Sequence, residues 1–432
     1  MLSFTMPIVG ITLTPSSGSP IPIFSPTSNA NFEMTRLQTD SSLVADKVTV
    51  AAGTYTSISV TLASSSGIFI NQSGATVGAC AAGAVCGLPN GAATTITFTF
   101  PSALVLTSDQ TQWIGLDFNL NKAITTSNGI SVDFTQTGVM TATTTPRRGL
   151  PSGSVETIED FVGVVTAYTS GSSITVQSSV SGQTITAALN GSTEYDEVPT
   201  GYSGCVLAPS CIKVGSTVSM DVGLALSGAL TATEVDVLEA TGVNEVEGVI
   251  YPTSTAGVFG LILADKVVTD SNAALTNATY GAGILVTISP TANGYIDTKT
   301  LSIPLSNPVG FSTSDLAAGQ MIRAQITSAT TGTGGVINAT AGNLLLRFSR
   351  ITATVSATGT TFTVTNLPTY ITALNTSLPT TPQVVTYLNY TLFDGLVNTT
   401  DPVFVAGTTV SFRALYLSNS APSFQAAKVR VP

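Results

Sequence analysis

The 432-residue sequence contains no histidine, and only 9% of its residues are charged, whereas a soluble domain devotes about a quarter of its residues to charged side chains. The missing histidine excludes a Ser-His-Asp triad, a Cys-His nucleophile pair and any histidine-ligated metal. A protein with so few charges either has a surface of Ser, Thr, Asn and Gly or buries much of its surface against copies of itself. Both possibilities disfavour a cytosolic location.

Long apolar runs are also absent, because Val, Ile, Leu, Ala and Phe are dispersed among Thr and Ser. No stretch approaches the ~18 residues that a membrane-spanning helix requires, so we expect no membrane span. The opening MLSFTMP lacks the basic region and the cleavage site of a signal peptide, and a secreted chain would carry its signal before Met1. The net charge of −10 disfavours nucleic acid and anionic membranes as partners.

Four cysteines form two pairs with the same C-x5-C spacing, Cys80 with Cys86 and Cys205 with Cys211. Each pair lies in a loop-like segment, so local disulfide pairing is the simplest interpretation. Such a short closed loop contributes about 2 kcal/mol in the chain-entropy model. The alternative is a four-thiolate zinc site, but structural zinc normally has C-x2-C to C-x4-C spacing. The spacing therefore favours two disulfides and an extracellular or cell-surface location.

Alternation of apolar and polar residues predicts strands over almost the whole chain. Ile96 and Phe98 alternate with threonines, and Phe362 and Val364 do the same. Strong helix formers are sparse, and the 39 glycines and 21 prolines interrupt nearly every longer run. We therefore predict an all-β protein.

The segment 143–154, TTTPRRGLPSGS, contains the only adjacent arginine pair and is typical of a linker. After it, one strand pattern recurs three times, and the glycine of its middle motif returns as Gly215, Gly319 and Gly407. These intervals are domain-sized, which fits consecutive small barrels. We predict an Ig-like β-sandwich over 1–145, a linker over 146–157, and three β-barrel-like domains over 158–241, 242–347 and 348–432.

Two strands of the N-terminal unit, 50–62 (VAAGTYTSISVTL) and 114–124 (IGLDFNLNKAI), carry "AGTY" and "LDF" sequences. They resemble the best-marked strands of a family of secreted bacterial Ig-like β-sandwich domains of unknown function. Asn119 stands where that resemblance implies an acidic residue, which weakens any cation-binding role of the motif. The later copies resemble small β-barrel domains of unknown function that follow this sandwich, most closely at 214–218 and 228–235. The resemblance implies an architecture and a surface location, and no activity.

Carboxylates are the remaining candidates for catalysis, because a paired-carboxylate hydrolase needs only two of them facing one cleft. The densest groups are Glu156, Glu159 and Asp160, and Glu194, Asp196 and Glu197. We interpret the first group as a solvated linker and the second as a solvated turn. We therefore expect no enzyme activity and no catalytic, cofactor-binding or metal-binding residue. No D-x-[DN]-x-[DN]-G calcium loop occurs, although a calcium site built partly from carbonyls stays open.

Other candidate sites are weaker. Trp113, Tyr251 and Tyr295 could stack on a sugar, but scattered aromatic residues are more often core or strand-edge residues. Seven N-x-S/T sequons could carry glycan on a surface strand or loop. They are at Asn71, Asn190, Asn277, Asn338, Asn375, Asn389 and Asn398.

The sequence favours a secreted structural subunit of an extracellular filament, pilus-like fibre or surface coat, with further copies of itself as its partner. A surface poor in charge suits close subunit packing, because burying an ion in an interface is costly. The alternatives are a monomeric adhesin or carbohydrate-binding protein and, less favoured, a carboxylate-dependent hydrolase. Unpaired strand edges are templates for another chain, so we expect head-to-tail assembly through strands at the two ends. The candidate residues are Phe4, Met6, Ile8, Ile11, Leu13, Phe424, Val429 and Val431.

Overall fold

A computed structural model describes residues 1–71, 74–126, 129–195, 208–238, 244–253, 255, 257–296, 311–368, 371, 383–418 and 423–431. The protein is all-β, with an N-terminal sheet domain followed by three small closed barrels. This confirms the predicted fold class.

The N-terminal domain is built around one long central strand. Its strands are β1 (Ser3–Pro15), β2 (Ile21–Phe24), β3 (Ala30–Glu33), β4 (Gly53–Leu62), β5 (Ser66–Ile70), β6 (Val85–Gly87), β7 (Thr94–Leu106), β8 (Gly115–Phe118), β9 (Ile124–Thr125), β10 (Ser131–Val132) and β11 (Met140–Thr143). A 3-10 turn (Arg36–Gln38) and helix α1 (Leu120–Ala123) complete it. The main sheet has the order β6-β5-β1-β4-β7, and β2 and β3 also pair with β1. The pairs β8–β11 and β9–β10 form two small sheets.

Barrel 1 contains β12 (Ser154–Thr169), β13 (Ser173–Ser178), β14 (Thr184–Ala188), β15 (Glu194–Tyr195), a 3-10 turn (Ala208–Ser210), β16 (Thr217–Ala225) and β17 (Leu230–Val237). Barrel 2 contains β18 (Asn244–Pro252), β19 (Val258–Val267), helix α2 (Ala273–Thr276), β20 (Gly283–Ile288), β21 (Gly294–Ile296), β22 (Met321–Thr331) and β23 (Ile337–Arg347), with 3-10 turns at Thr313–Asp315 and Thr333–Gly335. Barrel 3 contains β24 (Ser349–Ala357), β25 (Thr361–Thr365), β26 (Gln383–Asp394), β27 (Thr409–Tyr416) and β28 (Phe424–Arg430).

The three barrels share one topology. In each, the first strand pairs antiparallel with the second and the fourth long strand, and the third and last long strands close the barrel in parallel, as β14–β17, β20–β23 and β26–β28. Alternate strand residues point inward, which gives each barrel its own apolar core. The predicted three-fold repeat is therefore a repeat of whole barrels.

The recurring glycine has a specific backbone role. Gly215, Gly319 and Gly407 have φ values of 93°, 91° and 94°, a left-handed conformation that glycine adopts at little cost. Each donates its N–H to the first strand of its barrel, with N···O distances of 2.8, 2.9 and 2.8 Å. The glycine thus sets the backbone conformation just before the fourth long strand of every barrel.

Two sequence expectations need correction. The first barrel strand begins at Ser154, inside the predicted linker 146–157. The end strands do not present unpaired edges, because β1 lies at the centre of its sheet and β28 pairs with both β26 and β27. The proposed assembly residues of these strands, Phe4, Met6, Ile8, Ile11, Leu13, Phe424 and Val429, are buried core residues. Val431 follows β28 and packs against the core of barrel 3.

Candidate functional site

Eight of the chain's 14 basic side chains meet eight acidic ones where the domains join, and we call this region the ionic junction. The N-terminal domain contributes its 3-10 turn and the following loop, and each barrel contributes strands. The charged members are Arg36, Asp40, Arg147, Glu156, Glu159, Asp160, Asp221, Asp236, Glu247, Arg323, Arg347, Arg350, Asp394, Arg413, Lys428 and Arg430. Residues that are scattered along the sequence are therefore gathered by the fold.

Asp160 on β12 is at the centre of the first cluster. Its carboxylate contacts Arg36 at 3.1 Å and Arg413 at 3.7 Å, and it also binds Arg350. Burial alone would raise the pKa of Asp160, but the guanidinium groups of Arg413, Arg350 and Arg36 outweigh burial and hold this pKa well below its usual value. Arg350 also binds Asp40 of the N-terminal domain. This cluster thus joins three domains through one carboxylate.

Asp394 of barrel 3 organises the second cluster. It contacts Arg430 at 2.5 Å and Lys428 at 3.6 Å, and Lys428 in turn binds Glu159 of barrel 1. Arg430 reaches the N-terminal domain, where it donates to the Asp40 carbonyl at 2.9 Å. Burial raises the pKa of Glu159 to about 7, even though Lys428 opposes the shift.

Barrel 2 joins the junction through its own pairs. Glu247 on β18 binds Arg323 at 3.0 Å and Arg347 at 3.6 Å, and Arg347 also binds Asp236 of barrel 1 at 3.1 Å. Burial alone would raise the pKa of Glu247, but the two arginines lower it below its usual value. Arg347 is the last residue of β23, so its ion pair with Asp236 anchors the connection between barrels 2 and 3.

Barrels 1 and 3 carry opposite charges at equivalent positions. The shared register aligns Phe161 with Ile351 and Met220 with Phe412, because these residues are paired within their barrels. Four acidic positions of barrel 1 then coincide with four basic positions of barrel 3: Asp160 with Arg350, Asp221 with Arg413, Glu234 with Lys428, and Asp236 with Arg430. The two barrels therefore face each other with complementary surfaces made from the same strands.

A β-bulge lets two consecutive acidic residues reach the junction. Neighbouring strand residues ordinarily point to opposite faces, yet Glu159 binds Lys428 and Asp160 binds Arg350. The register of β12 against β16 shifts between Ile158 and Phe161, and Asp160 has a φ of 51°. The extra residue re-aims the side chains, which sequence periodicity alone does not reveal.

The chemistry of the junction is ion pairing. Its carboxylates are neutralised by cations at close range, and the adjoining cavity, lined in part by Arg36 and Arg350, has a volume of about 40 Å³, enough for a water molecule or two. Among the described residues, no group of three His, Cys, Asp or Glu side chains is arranged to hold a metal ion. The arrangement can fix the domains in place.

The predicted acidic clusters have different outcomes. Glu156, Glu159 and Asp160 belong to the junction, so the interpretation as a solvated linker is wrong. Glu194 is exposed, but it begins strand β15 and pairs with Glu234 of β17, so it does not lie in a turn. Asp196 and Glu197 lie outside the described residues. The missing signal was the basic residues of barrel 3, two domains further along the chain. A carboxylate cluster beside a Pro- and Gly-rich segment looks solvated until its partners are known.

One predicted disulfide, Cys80–Cys86, is present. Cys211 is also disulfide-bonded, and its expected partner Cys205 lies outside the described residues. Asn119, at the position where an acidic residue was expected, caps helix α1 by accepting the Lys122 N–H at 3.3 Å. This contact gives Asn119 a structural role.

The sequons do not all reach the surface. Asn71 is buried, and its side-chain amide donates to the carbonyls of Ala75 and Cys80, both at 2.8 Å, so the expectation of a surface glycan there is wrong. Four sequon asparagines are exposed: Asn190, Asn277, Asn338 and Asn398. Asn375 and the side chain of Asn389 lie outside what the structure describes.

Each of the three single aromatic residues has a local packing contact. Trp113 packs against the core of barrel 1, and Tyr295 packs against Leu345. Tyr251 lies over Gly260, where any side chain would collide with its ring.

Comparison with known proteins gives little beyond the N-terminal domain. No described helix is long and apolar enough to cross a membrane, and no curated protein matches the chain. Among solved structures, Drosophila Unr CSD456 is 9% identical with a TM-score of 0.14, covering 63% of this chain and 97% of that one. A multidomain protein with nucleic acid binding domains from Streptococcus pneumoniae TIGR4 is 12% identical with a TM-score of 0.12, covering 65% and 75%. Similarities this weak establish neither a shared fold nor a shared ligand. Residues 6–134 match the family model of DUF4382, a domain of unknown function.

Proposed function

We propose that this protein is a non-catalytic structural subunit of an extracellular assembly, such as a filament, a pilus-like fibre or a surface coat. The observation that carries the proposal is the distribution of charge. Sixteen of the chain's 38 charged side chains lie in the ionic junction, where they pair across the domains.

The exterior is left with little charge. Within the described residues, eight charged side chains are exposed: Lys47, Asp109, Asp117, Lys122, Arg148, Glu194, Lys213 and Asp270. The cores of protein interfaces are depleted of charged residues, because an ion that loses its water without a good partner destabilises the contact. A protein whose domains are held by internal ion pairs and whose surface is neutral and rich in hydroxyl groups is suited to packing against copies of itself.

The Cys80–Cys86 disulfide supports the extracellular setting, because disulfides persist in oxidising compartments. Sedimentation velocity of the full chain over a range of concentrations tests the proposal. We expect the mean sedimentation coefficient to rise with concentration. A single monomeric species at all concentrations would contradict assembly.

An alternative function as a carbohydrate-binding surface protein is favoured by one cleft on barrel 2. The cleft has a volume of about 500 Å³, and its polar lining consists of Asn244, Thr269, Asp270, Thr291, Gln325, Thr327 and Asn343. Amides and hydroxyls that both donate and accept hydrogen bonds suit a neutral polyol. Asn343 donates to Gln325 at 2.8 Å and Asn244 donates to Asp270 at 2.8 Å, so the lining is held in place by its own contacts.

Calorimetric titration with neutral mono- and oligosaccharides distinguishes this alternative. It predicts saturable binding that Asn343→Ala weakens and that Asn190→Ala, an exposed asparagine on barrel 1, leaves unchanged. Absence of binding to the whole panel would leave the structural proposal as the better account.

A further inference from the structure

Strand β7 is the outer strand of the N-terminal sheet. It pairs with β4 along one side, and no other strand pairing of β7 occurs in the part of the chain that the structure describes. The outer side of a terminal strand presents unpaired backbone N–H and C=O groups, which are a template for another strand. Strand β11 also lies close to β7, but the described part of the chain shows no ladder between the two strands. Another strand could therefore pair with the outer side of β7.

The first half of this edge lacks the protection that edge strands usually have. Natural edges are guarded by charge, proline, bulges or shortness, but Thr94–Thr99 reads TTITFT and contains no charge, proline or glycine. Six-residue segments of high β-propensity and low charge are those that pair most readily. In the second half, Pro101 and a register shift opposite Tyr55 and Ser57 interrupt the ladder, so the open edge is confined to Thr94–Thr99.

The inner face of the same segment is incompletely covered. Ile58 and Val60 of β4 are 1% and 0% exposed, whereas Ile96 and Phe98, which oppose Val60 and Ile58 across the pair, are only half-buried. An additional strand along β7 would cover both side chains. Removal of this apolar area from water would favour the pairing.

The most suitable partner strand is another copy of β7. The opposite edge of the sheet is β6, which has only three residues and contains Cys86 of the disulfide, so it cannot match a six-residue edge. Antiparallel pairing of β7 with itself, centred on Thr97, places Thr97 opposite its own copy and Thr95 opposite Thr99. The sheet already contains such hydroxyl contacts, between Ser59 and Thr97 at 2.8 Å and between Thr61 and Thr95 at 3.1 Å, and these pairs stabilise neighbouring strands.

We infer that two copies of this chain associate through antiparallel pairing of their Thr95–Thr99 edges about a twofold axis at Thr97, which forms one continuous sheet. This inference rests on the proposed structural function and identifies one of its contact surfaces. A twofold contact closes on itself, so a longer assembly needs a second surface in addition. Pairing five residues per copy buries less than the ~1,200–2,000 Å² of a standard interface, so we expect weak association.

The test is the dimerisation of the full chain carrying Thr97→Lys, measured by sedimentation velocity over a concentration series. The substitution places two ammonium groups near the twofold axis, and we expect the dimer dissociation constant to rise at least ~10-fold. Thr186→Lys is the matched control. Thr186 is also exposed and also pairs its hydroxyl with a neighbouring threonine, at 3.0 Å from Thr175, but its strand β14 also pairs with β17, at Ala188.

The outcomes separate the inference from the proposed function. If Thr97→Lys impairs association and Thr186→Lys does not, the β7 contact is supported. If wild type associates and Thr97→Lys associates equally well, the β7 contact is wrong while the structural function stands. If wild type remains monomeric throughout, both are wrong.

Mild oxidation of single variants Thr95→Cys, Thr97→Cys and Thr99→Cys provides a second measurement. Facing residues of an antiparallel pair are close enough for a disulfide, so at least one variant should yield a covalent dimer, and Thr186→Cys should not. Failure of all three to crosslink above the Thr186→Cys level would overturn the proposed pairing.

Discussion

Replacement of Asp160 by asparagine tests whether the ionic junction holds the domains together. The substitution keeps the shape of the side chain, and asparagine tolerates the left-handed backbone (φ 51°) at this position. It removes the charge that faces Arg36, Arg350 and Arg413. The effect therefore reports electrostatics and leaves the backbone largely undisturbed.

The structure sets the size of the expected effect. Loss of one partner from a buried ion pair destabilises by about 3–5 kcal/mol, because a buried charge is left uncompensated. Arg350 keeps Asp40 and Arg413 keeps Asp221, so we expect the lower end, ~3 kcal/mol. For a cooperative unit the size of two barrels this corresponds to a fall in melting temperature of roughly 6–12 °C.

Differential scanning calorimetry of the full chain measures the fall in melting temperature. Because a four-domain chain need not unfold in one step, the transition that includes barrels 1 and 3 is the one compared between variants. The matched control is Asp109→Asn. Asp109 also has a left-handed backbone, φ 61°, but it is exposed, so we expect a change within about 0.5 kcal/mol. Equal effects of the two substitutions would refute the idea that the junction stabilises the fold.

Three further predictions concern the linker, pH and the disulfide. In urea unfolding, Gly149→Ala should destabilise the chain by about 1–3 kcal/mol more than Gly153→Ala. Both glycines have positive φ, but a Cβ at Gly149 would lie 1.9 Å from a backbone oxygen of barrel 3, whereas a Cβ at Gly153 would enter open space. Burial raises the pKa of Glu159 to about 7 from an unfolded value near 4.5. The stability that protonated Glu159 contributes is therefore fully present below the unfolded pKa and is lost as pH rises through about 7. If the melting temperature of Glu159→Gln falls as much as that of wild type from pH 5 to 8.5, the raised pKa of Glu159 is contradicted. Replacing both Cys80 and Cys86 by serine should destabilise the loop by about 2 kcal/mol, seen as faster proteolysis between the two positions while the calorimetric transitions of the barrels stay in place.

The repetitive part of the fold could be predicted from the sequence because its signals are local. Period-two alternation at Ile96 and Phe98 marks a strand regardless of what surrounds it. Gly215, Gly319 and Gly407 could be recognised as equivalent because each copy needs the same left-handed backbone at the same step. The short C-x5-C spacing likewise indicated the disulfide between Cys80 and Cys86.

The roles of individual strands and charges depended on distant contacts. The sequence identifies Phe4 and Phe424 as strand residues but does not show whether their strands are paired. In the structure both strands are paired, and both side chains are fully buried in the core. Asp160 reads as part of a solvated linker, yet Arg350, 190 positions later, neutralises it. No local pattern encodes such a partnership.

Composition and short-range pattern alone determined that this chain is an all-β array of repeated domains with few charges and disulfide-forming cysteines, since strand alternation, turn glycines and close cysteine pairs act over a few residues. Tertiary structure alone decided where the charges lie and which strand edge is open. Ion pairing and strand pairing depend on distances between residues that are far apart in the chain, and those distances exist only once the domains have folded and met.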